Sequence, residues 1–176
     1  MIYIRKADGK DLVQIVMLSD RISADLNKQG QEDLAKSVNR YDILMAMQTP
    51  SVVIIAVEGS RVLGFLLLQR PSEKEEETFA EEFPNNYKVG DGIIVNGIGV
   101  DPARRKLGIA TLLLKTGKQY AVRHGFTKFI GTVHPDNMAS QKSLASIGEF
   151  QKGRYFTQET KDSRYLIRQR FIQDLT

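Results

Sequence analysis

Near its start the chain carries a short alternating strand, Ile2-Tyr3-Ile4, and the period then changes at Asp8, after which Leu12, Ile15, Val16, Ile22 and Leu26 fall at helical spacing. A second helix is predicted from about Leu34 to Met47, stopped by Pro50. Two continuous apolar runs follow, Val52-Val53-Ile54-Ile55-Ala56-Val57 and Val62-Leu63-Gly64-Phe65-Leu66-Leu67-Leu68. They flank Glu58-Gly59-Ser60-Arg61, the pattern of a hairpin whose strands are buried on both faces.

Segment 71–91 breaks this regularity at a length uncommon for a plain loop, with a short helix expected around Glu75 to Glu82. Ile93 to Val100 reads as the next strand. Gly97 and Gly99 inside it point to a bulge or to close approach by a ligand or another backbone, and without a bulge they share a face with Ile93 and Val95. From Ile109 a helix runs to about His124, closed by Gly125, with Leu112, Leu113, Tyr120 and Ala121 as its apolar face. Lys128 to Val133 is a strand, which makes a right-handed parallel crossover with the strand at 93–100. A helix from Asn137 to Ile147 and two strands, near Phe150 to Thr157 and Ser163 to Phe171, complete the order. No repeat or low-complexity segment interrupts it.

At 176 residues and 41% hydrophobic content the chain fits one domain, 1–176, with an acidic insertion at about 71–91. The longest apolar run, Val52 to Val57, falls far short of the roughly 20 residues of a membrane helix, and the first residues lack signal-peptide character, so a cytoplasmic location is expected. Without cysteine there is no disulfide, thiolate metal site or acyl-cysteine intermediate, and two histidines do not make a zinc site, so no metal is expected. The net charge of +4 permits polyanionic ligands. Charge is polarised along the chain: residues 72–91 hold seven acids against two lysines, and residues 150–176 hold six Lys/Arg against three acids.

The most informative stretch is Ile98 to Ala110, where an apolar strand passes through a basic, glycine-punctuated turn into a helix start. Gly108 and Ala110 leave little side chain between an anion and the unpaired amides of the first turn, and Arg104, Arg105 and Lys106 add positive charge, an arrangement suited to a pyrophosphate. The spacing Arg105-x-x-Gly108-x-Ala110 resembles the acyl-CoA-binding motif of the GNAT N-acetyltransferase superfamily. Asn137-x2-Ser140-x3-Leu144-x3-Gly148-x-Phe150 is similar to that family's fourth-helix pattern, with Leu144 where many members have tyrosine and Glu149 separating Gly148 from Phe150. The element order agrees over nearly the whole chain.

The resemblance implies an α/β fold, with about seven mainly antiparallel strands, a splayed parallel pair and about four flanking helices. It also implies acetyl-CoA as acetyl donor and a small-molecule or peptide amine as acceptor, with no membrane partner and with a homodimer left open. Backbone groups of Ile98, Gly99 and Val100 would hold the pantetheine arm, and an N–H near Val100 would stabilise the oxyanion. Amides from Lys106 through Leu107, Gly108, Ile109, Ala110 and Thr111, beside Arg105, would take the pyrophosphate. Asn137 and Ser140 would face the cofactor, although Asn137 reads equally as a helix N-cap.

Direct transfer requires a neutral amine. No carboxylate lies within 93–100, where Ile94 replaces the glutamate of some members, so Asn96 through a water, His134, Tyr155 and the acids of 73–91 are the candidates for proton transfer. Two rival readings remain: a non-catalytic acyl-CoA sensor or scaffold, and a nucleic-acid module on the basic segments, which lacks an evident recognition motif.

Overall fold

The computed structural model describes residues 1–31, 34, 37–159 and 163–176. Its elements are β1 (Ile2–Lys6), α1 (Leu12–Lys28), α2 (Arg40–Ala46), β2 (Val52–Glu58), β3 (Arg61–Gln69), α3 (Glu73–Glu82), β4 (Gly92–Val100), α4 (Ile109–Arg123), β5 (Lys128–Val133), α5 (Met138–Ala145), β6 (Gln151–Glu159) and β7 (Tyr165–Asp174). The seven strands form one mixed sheet in the order β1-β2-β3-β4-β5-β7-β6, with β4 and β5 parallel.

Both faces of the central hairpin are covered, which explains the unbroken apolar runs. Val53, Ile55, Phe65 and Leu67 pack under Leu12, Ile15 and Leu18 of α1, with Ile43 of α2. Val52, Ile54, Leu66 and Leu68 pack on the opposite face with Ile109, Leu113 and Leu114 of α4. The insertion contributes a third cluster, in which Phe79, Phe83 and Tyr87 lie on Ile94, Ile130 and Ile172.

Two expectations change. The second helix starts at Arg40 rather than Leu34, because Asn39 caps it: the Asn39 side chain accepts from the Asp42 N–H at 2.9 Å while the Asp42 carboxylate accepts from the Asn39 N–H at 3.0 Å. Residues 35 and 36 of that expected helix lie outside the described residues. On α4 the buried stripe is Ile109, Leu113, Gly117 and Ala121, four residues apart, and Leu112 is exposed. The short helix expected around Glu75 to Glu82 is α3, begun two residues earlier by a reciprocal Ser72–Glu75 cap that the Ser-x-x-Glu spacing encodes.

Candidate functional site

The site begins where β4 and β5 part. Their parallel pairing covers Gly92, Ile93 and Ile94 against Lys128, Phe129 and Ile130 and stops there. On the other edge of β4, Gly97 pairs with Leu67 and Val95 with Leu68, so Asn96 is the extra residue of a bulge. The bulge reverses the strand's phase. Ile93 and Val95, and after the bulge Ile98 and Val100, all pack towards α4, whereas Gly97 and Gly99 turn to the α1 face, not the Ile93 face of an unbulged strand. A Cβ on Gly97 would lie 2.6 Å from Val38, and one on Gly99 2.6 Å from Ile22 and 2.8 Å from Phe65. The two glycines therefore admit side chains of the covering layer.

After β4, Asp101 anchors the turn. It is buried, and its carboxylate accepts from Arg21 at 3.2 Å, Arg61 at 2.9 Å and the Ala103 N–H at 3.0 Å. The chain then passes through Lys106 at φ +67° and Gly108 at φ +74°, and Gly108 is the N-cap of α4 with no side chain capping the first turn. The amides of that turn thus face a cavity of about 570 Å³. Ile98, Gly99, Val100, Arg105, Lys106, Gly108, Ile109, Ala110, Thr111, Asn137 and Ser140 line it, so the structure brings these expected residues together. Leu107 points outward and does not line it. Two of the three cations are already paired, Arg104 with Glu58 at 2.7 Å and Arg105 with Asp25 at 3.1 Å. The uncapped amides and Lys106 are what this turn offers a diphosphate, and they fit one.

A second, smaller cavity of about 220 Å³ opens on the other side of the strand gap, and Leu34, Ile98, Asn137 and Ser140 line both. Its walls include Asn96, Thr132, Gln158, Arg168 and Arg170, with Phe79, Ile94, Val95 and Phe156 as the apolar part. Asn96 donates to Gln69 Oε1 at 2.6 Å. Arg170 is bound to the buried Glu82 carboxylate at 2.6 Å, and its guanidinium lies 3.8 Å from the centroid of the Phe156 ring. Glu82 Oε1 also accepts from the Arg154 N–H at 2.6 Å, so α3 is tied to both closing strands.

The acidic run is therefore not one solvated face. Glu75 lines the smaller cavity, Glu76 is buried and accepts from the Tyr87 hydroxyl at 2.6 Å and the Gly90 N–H at 3.1 Å, and Glu77 is exposed. Burial, and then the bond to Glu76, push the Tyr87 hydroxyl well above its ordinary pKa. Likewise Arg168 and Arg170 of the basic C-terminal segment point into the fold, which removes two of its six cations from any nucleic-acid surface; Lys161 lies outside the described residues.

The remaining candidates separate. Asn137 caps α5, its Oδ1 accepting from the Ser140 N–H at 3.1 Å and its Nδ2 donating to the Leu34 carbonyl at 2.9 Å. His134 does not line either cavity, and its Nδ1 accepts from the Asp136 N–H at 3.0 Å. Tyr155 is 64% exposed on the β6 face opposite Phe156 and lines neither cavity. Leu144 is 6% exposed and packs on Gly131 of β5. Arg168, Arg170, Gln158 and Thr132 carry no motif that singles them out in the sequence; the faint signal is the i, i+2 spacing of the two arginines, which puts both on one face of β7.

The model of the Acetyltransferase (GNAT) family matches residues 17–148. None of the curated proteins compared with the chain matches it. Among solved structures, an N-acetyltransferase from Staphylococcus aureus Mu50 is 20% identical, with 100% of this chain and 99% of that one covered at a TM-score of 0.71. The yncA protein of Salmonella typhimurium with its cofactor acetyl-CoA is 17% identical, with 99% and 94% covered at 0.67. The ribosomal-protein-S18-alanine N-acetyltransferase of Escherichia coli is 15% identical, with 100% and 95% covered at 0.71. At these identities the likeness establishes the fold.

Proposed function

The chain belongs to the acetyltransferase (GNAT) family, and from that premise we propose that it is a single-domain, acetyl-CoA-dependent N-acetyltransferase that acts on a primary amine by direct transfer. The observation that carries this reading is the pair of cavities on either side of the β4–β5 gap, sharing Leu34, Ile98, Asn137 and Ser140 at their junction. One is built of backbone and glycine at a helix start. The other is built of polar and aromatic side chains. A two-substrate transfer needs such a pair, meeting at the reacting atoms.

In this reading the amides from Lys106 to Thr111 hold the diphosphate, and the β4 backbone at Ile98, Gly99 and Val100, left without a strand partner across the gap, holds the pantetheine arm. Acetyl-CoA supplies the acetyl group as a thioester. An N–H near Val100 stabilises the negative charge that develops on the acetyl oxygen. The Oδ1 of Asn137 retains capacity for a second donor beyond the Ser140 N–H.

The acceptor nitrogen bonds to the acetyl carbon, the carbon–sulfur bond breaks, and the amine loses one proton. Glu75 is the one carboxylate lining the acceptor-side cavity among the described residues, so it is the proton's route to solvent, through water near Asn96. Leu144 is packed into the sheet and Tyr155 faces away, so neither supplies a proton to sulfur. A thiol with a pKa near 8.5 leaves as thiolate without that help.

The test is thiol release from acetyl-CoA over a panel of small amines and peptides, alongside calorimetric titration of acetyl-CoA. Transfer to at least one amine is expected. Tight acetyl-CoA binding with no transfer to any amine would favour an acyl-CoA sensor of the same fold.

A further inference from the structure

We propose that the outer face of the β6–β7 hairpin, turned away from the acceptor-side cavity, docks a second copy of this chain about a two-fold axis. Phe156, Arg168 and Arg170 point into that cavity, so the alternate residues of both strands face the other way. The register sets the order on that face: Lys152 lies opposite Phe171 at one end, Glu159 lies opposite Tyr165 at the other, and Tyr155 and Ile167 fill the middle. The bulge between Lys152 and Tyr155 matters here, because without its extra residue Lys152 would turn to the cavity side. Tyr155, Tyr165 and Ile167 are each more than half exposed. Three large apolar side chains gathered on one sheet face mark a contact surface, where single ones would not.

The arrangement of charge selects a second copy as the occupant. At the Phe171 end, α5 and the two strands border an open groove of about 450 Å³, with Leu144, Phe150 and Phe171 as its apolar part and Lys142 and Lys152 beside them. At the other end stand an acid, Glu159, and an exposed aromatic ring, Tyr165. The face therefore carries a cationic apolar groove and, about 20 Å away along the strands, an anionic aromatic end that complements it. A two-fold axis lying in the face and perpendicular to the strands brings these unlike ends together twice. Tyr165 of the second copy enters the groove over Phe171, Glu159 of the second copy meets Lys142 and Lys152, and Ile167 of the second copy packs on the Tyr155 ring. The same operation makes each contact in the other direction, so the interface is isologous and closes at two copies. An axis along the strands would set lysine against lysine, which like-charge repulsion disfavours.

The experiment is sedimentation equilibrium of the full chain over a range of concentrations. A dimer is expected. Ile167→Asp, which puts a charge into the middle of the apolar cluster, should give a monomer. Lys152→Glu and Glu159→Lys should each raise the dissociation constant about tenfold or more, because each sets like charges together at both ends of the interface. The double exchange, Lys152→Glu with Glu159→Lys, should restore most of the loss. All three positions are exposed, so the variants keep the core, and circular dichroism checks that they do. A chain that stays monomeric into the millimolar range overturns the proposal, and if that monomer sediments with vesicles of anionic lipid the face belongs to a membrane surface instead. A dimer indifferent to Ile167→Asp overturns the choice of face, and single-variant losses that the double exchange does not restore overturn the antiparallel arrangement.

Discussion

The two cavities beside the β4–β5 gap are built by different means. On the cofactor side one stretch of chain, 98–111, supplies a strand edge, an αL residue at Lys106, an αL glycine at Gly108 and the uncapped first turn of α4, and residues of α1 and α5 complete the wall. The acceptor side takes two side chains each from α3, β5, β6 and β7 and a run of β4, Ile94 to Ile98, elements that lie far apart in sequence. A backbone site depends on local conformation and tolerates changes of exposed side chain, whereas a side-chain site depends on the tertiary contacts that bring its members together.

The strongest test of that difference is Glu82→Gln. The carboxylate is buried, and the substitution leaves the Arg170 guanidinium without its counter-charge in an environment where breaking such a pair costs about 3–5 kcal/mol. Thermal unfolding should show a large loss of stability, and acceptor KM should rise. Acetyl-CoA affinity in the folded fraction should hold, because Glu82 is not among the described residues that line the cofactor-side cavity. An equal loss on both sides would mean that the cavities are one mechanical unit.

Next in size is Gly108→Val. A Cβ on Gly108 meets nothing within 4 Å, so the core stays intact, but φ +74° is strained for a β-branched residue by about 1–3 kcal/mol. Relief of that strain turns the first-turn amides, each worth about 1.5–3 kcal/mol to a charged acceptor. Acetyl-CoA affinity should drop at least about tenfold. Lys106→Ala, the loss of one exposed cation at a helix start, should cost about 0.3–1 kcal/mol, a factor of about five or less. Calorimetry on the two variants reads the ranking, and a larger effect of Lys106→Ala would mean that side-chain charge, not backbone, makes this site.

The same contrast explains what could be read in the sequence. The turn at 104–111 was legible because a contiguous backbone site leaves its glycine and its spacing in a contiguous string. Strand and helix order was legible because both faces of β2 and β3 are buried and their apolar runs are unbroken. The phase of Gly97 and Gly99 was not, since one extra residue at Asn96 reverses it and only the pairing with Leu67 and Leu68 reveals the extra residue. Arg168 and Arg170 looked like surface charge because nothing local says that they are covered: Arg170 is held by a glutamate of α3 88 positions away, and Arg168 lies against the Leu34 carbonyl.

Single substitutions in the acidic run sharpen this on the acceptor side. Glu76→Gln removes a buried carboxylate that holds Tyr87 and the Gly90 amide, and should lower stability by about 1 kcal/mol or more. Glu75→Gln, at the cavity wall, should raise the acceptor KM about two- to fivefold, an effect that salt weakens. Glu77→Gln should change neither. If all three behave alike, the run acts only through its summed charge.

The smallest expected effect is at Tyr155. The sequence offers it as a partial substitute for a tyrosine acid on the fourth helix of the family, the position taken here by Leu144. Strand alternation decides against it: Phe156 points into the acceptor cavity, so Tyr155, one residue earlier, points to the other face, where it is exposed. A hydroxyl there cannot reach a sulfur lying between β4 and β5. Removing it takes away no buried contact, and exposed substitutions of this kind stay within about 0.5 kcal/mol. Tyr155→Phe should therefore keep wild-type stability and kcat within about twofold. A larger loss of kcat, with KM and stability unchanged, would mean that the closing hairpin turns its other face to the reaction, and that the acceptor side is assembled differently from the cavity described.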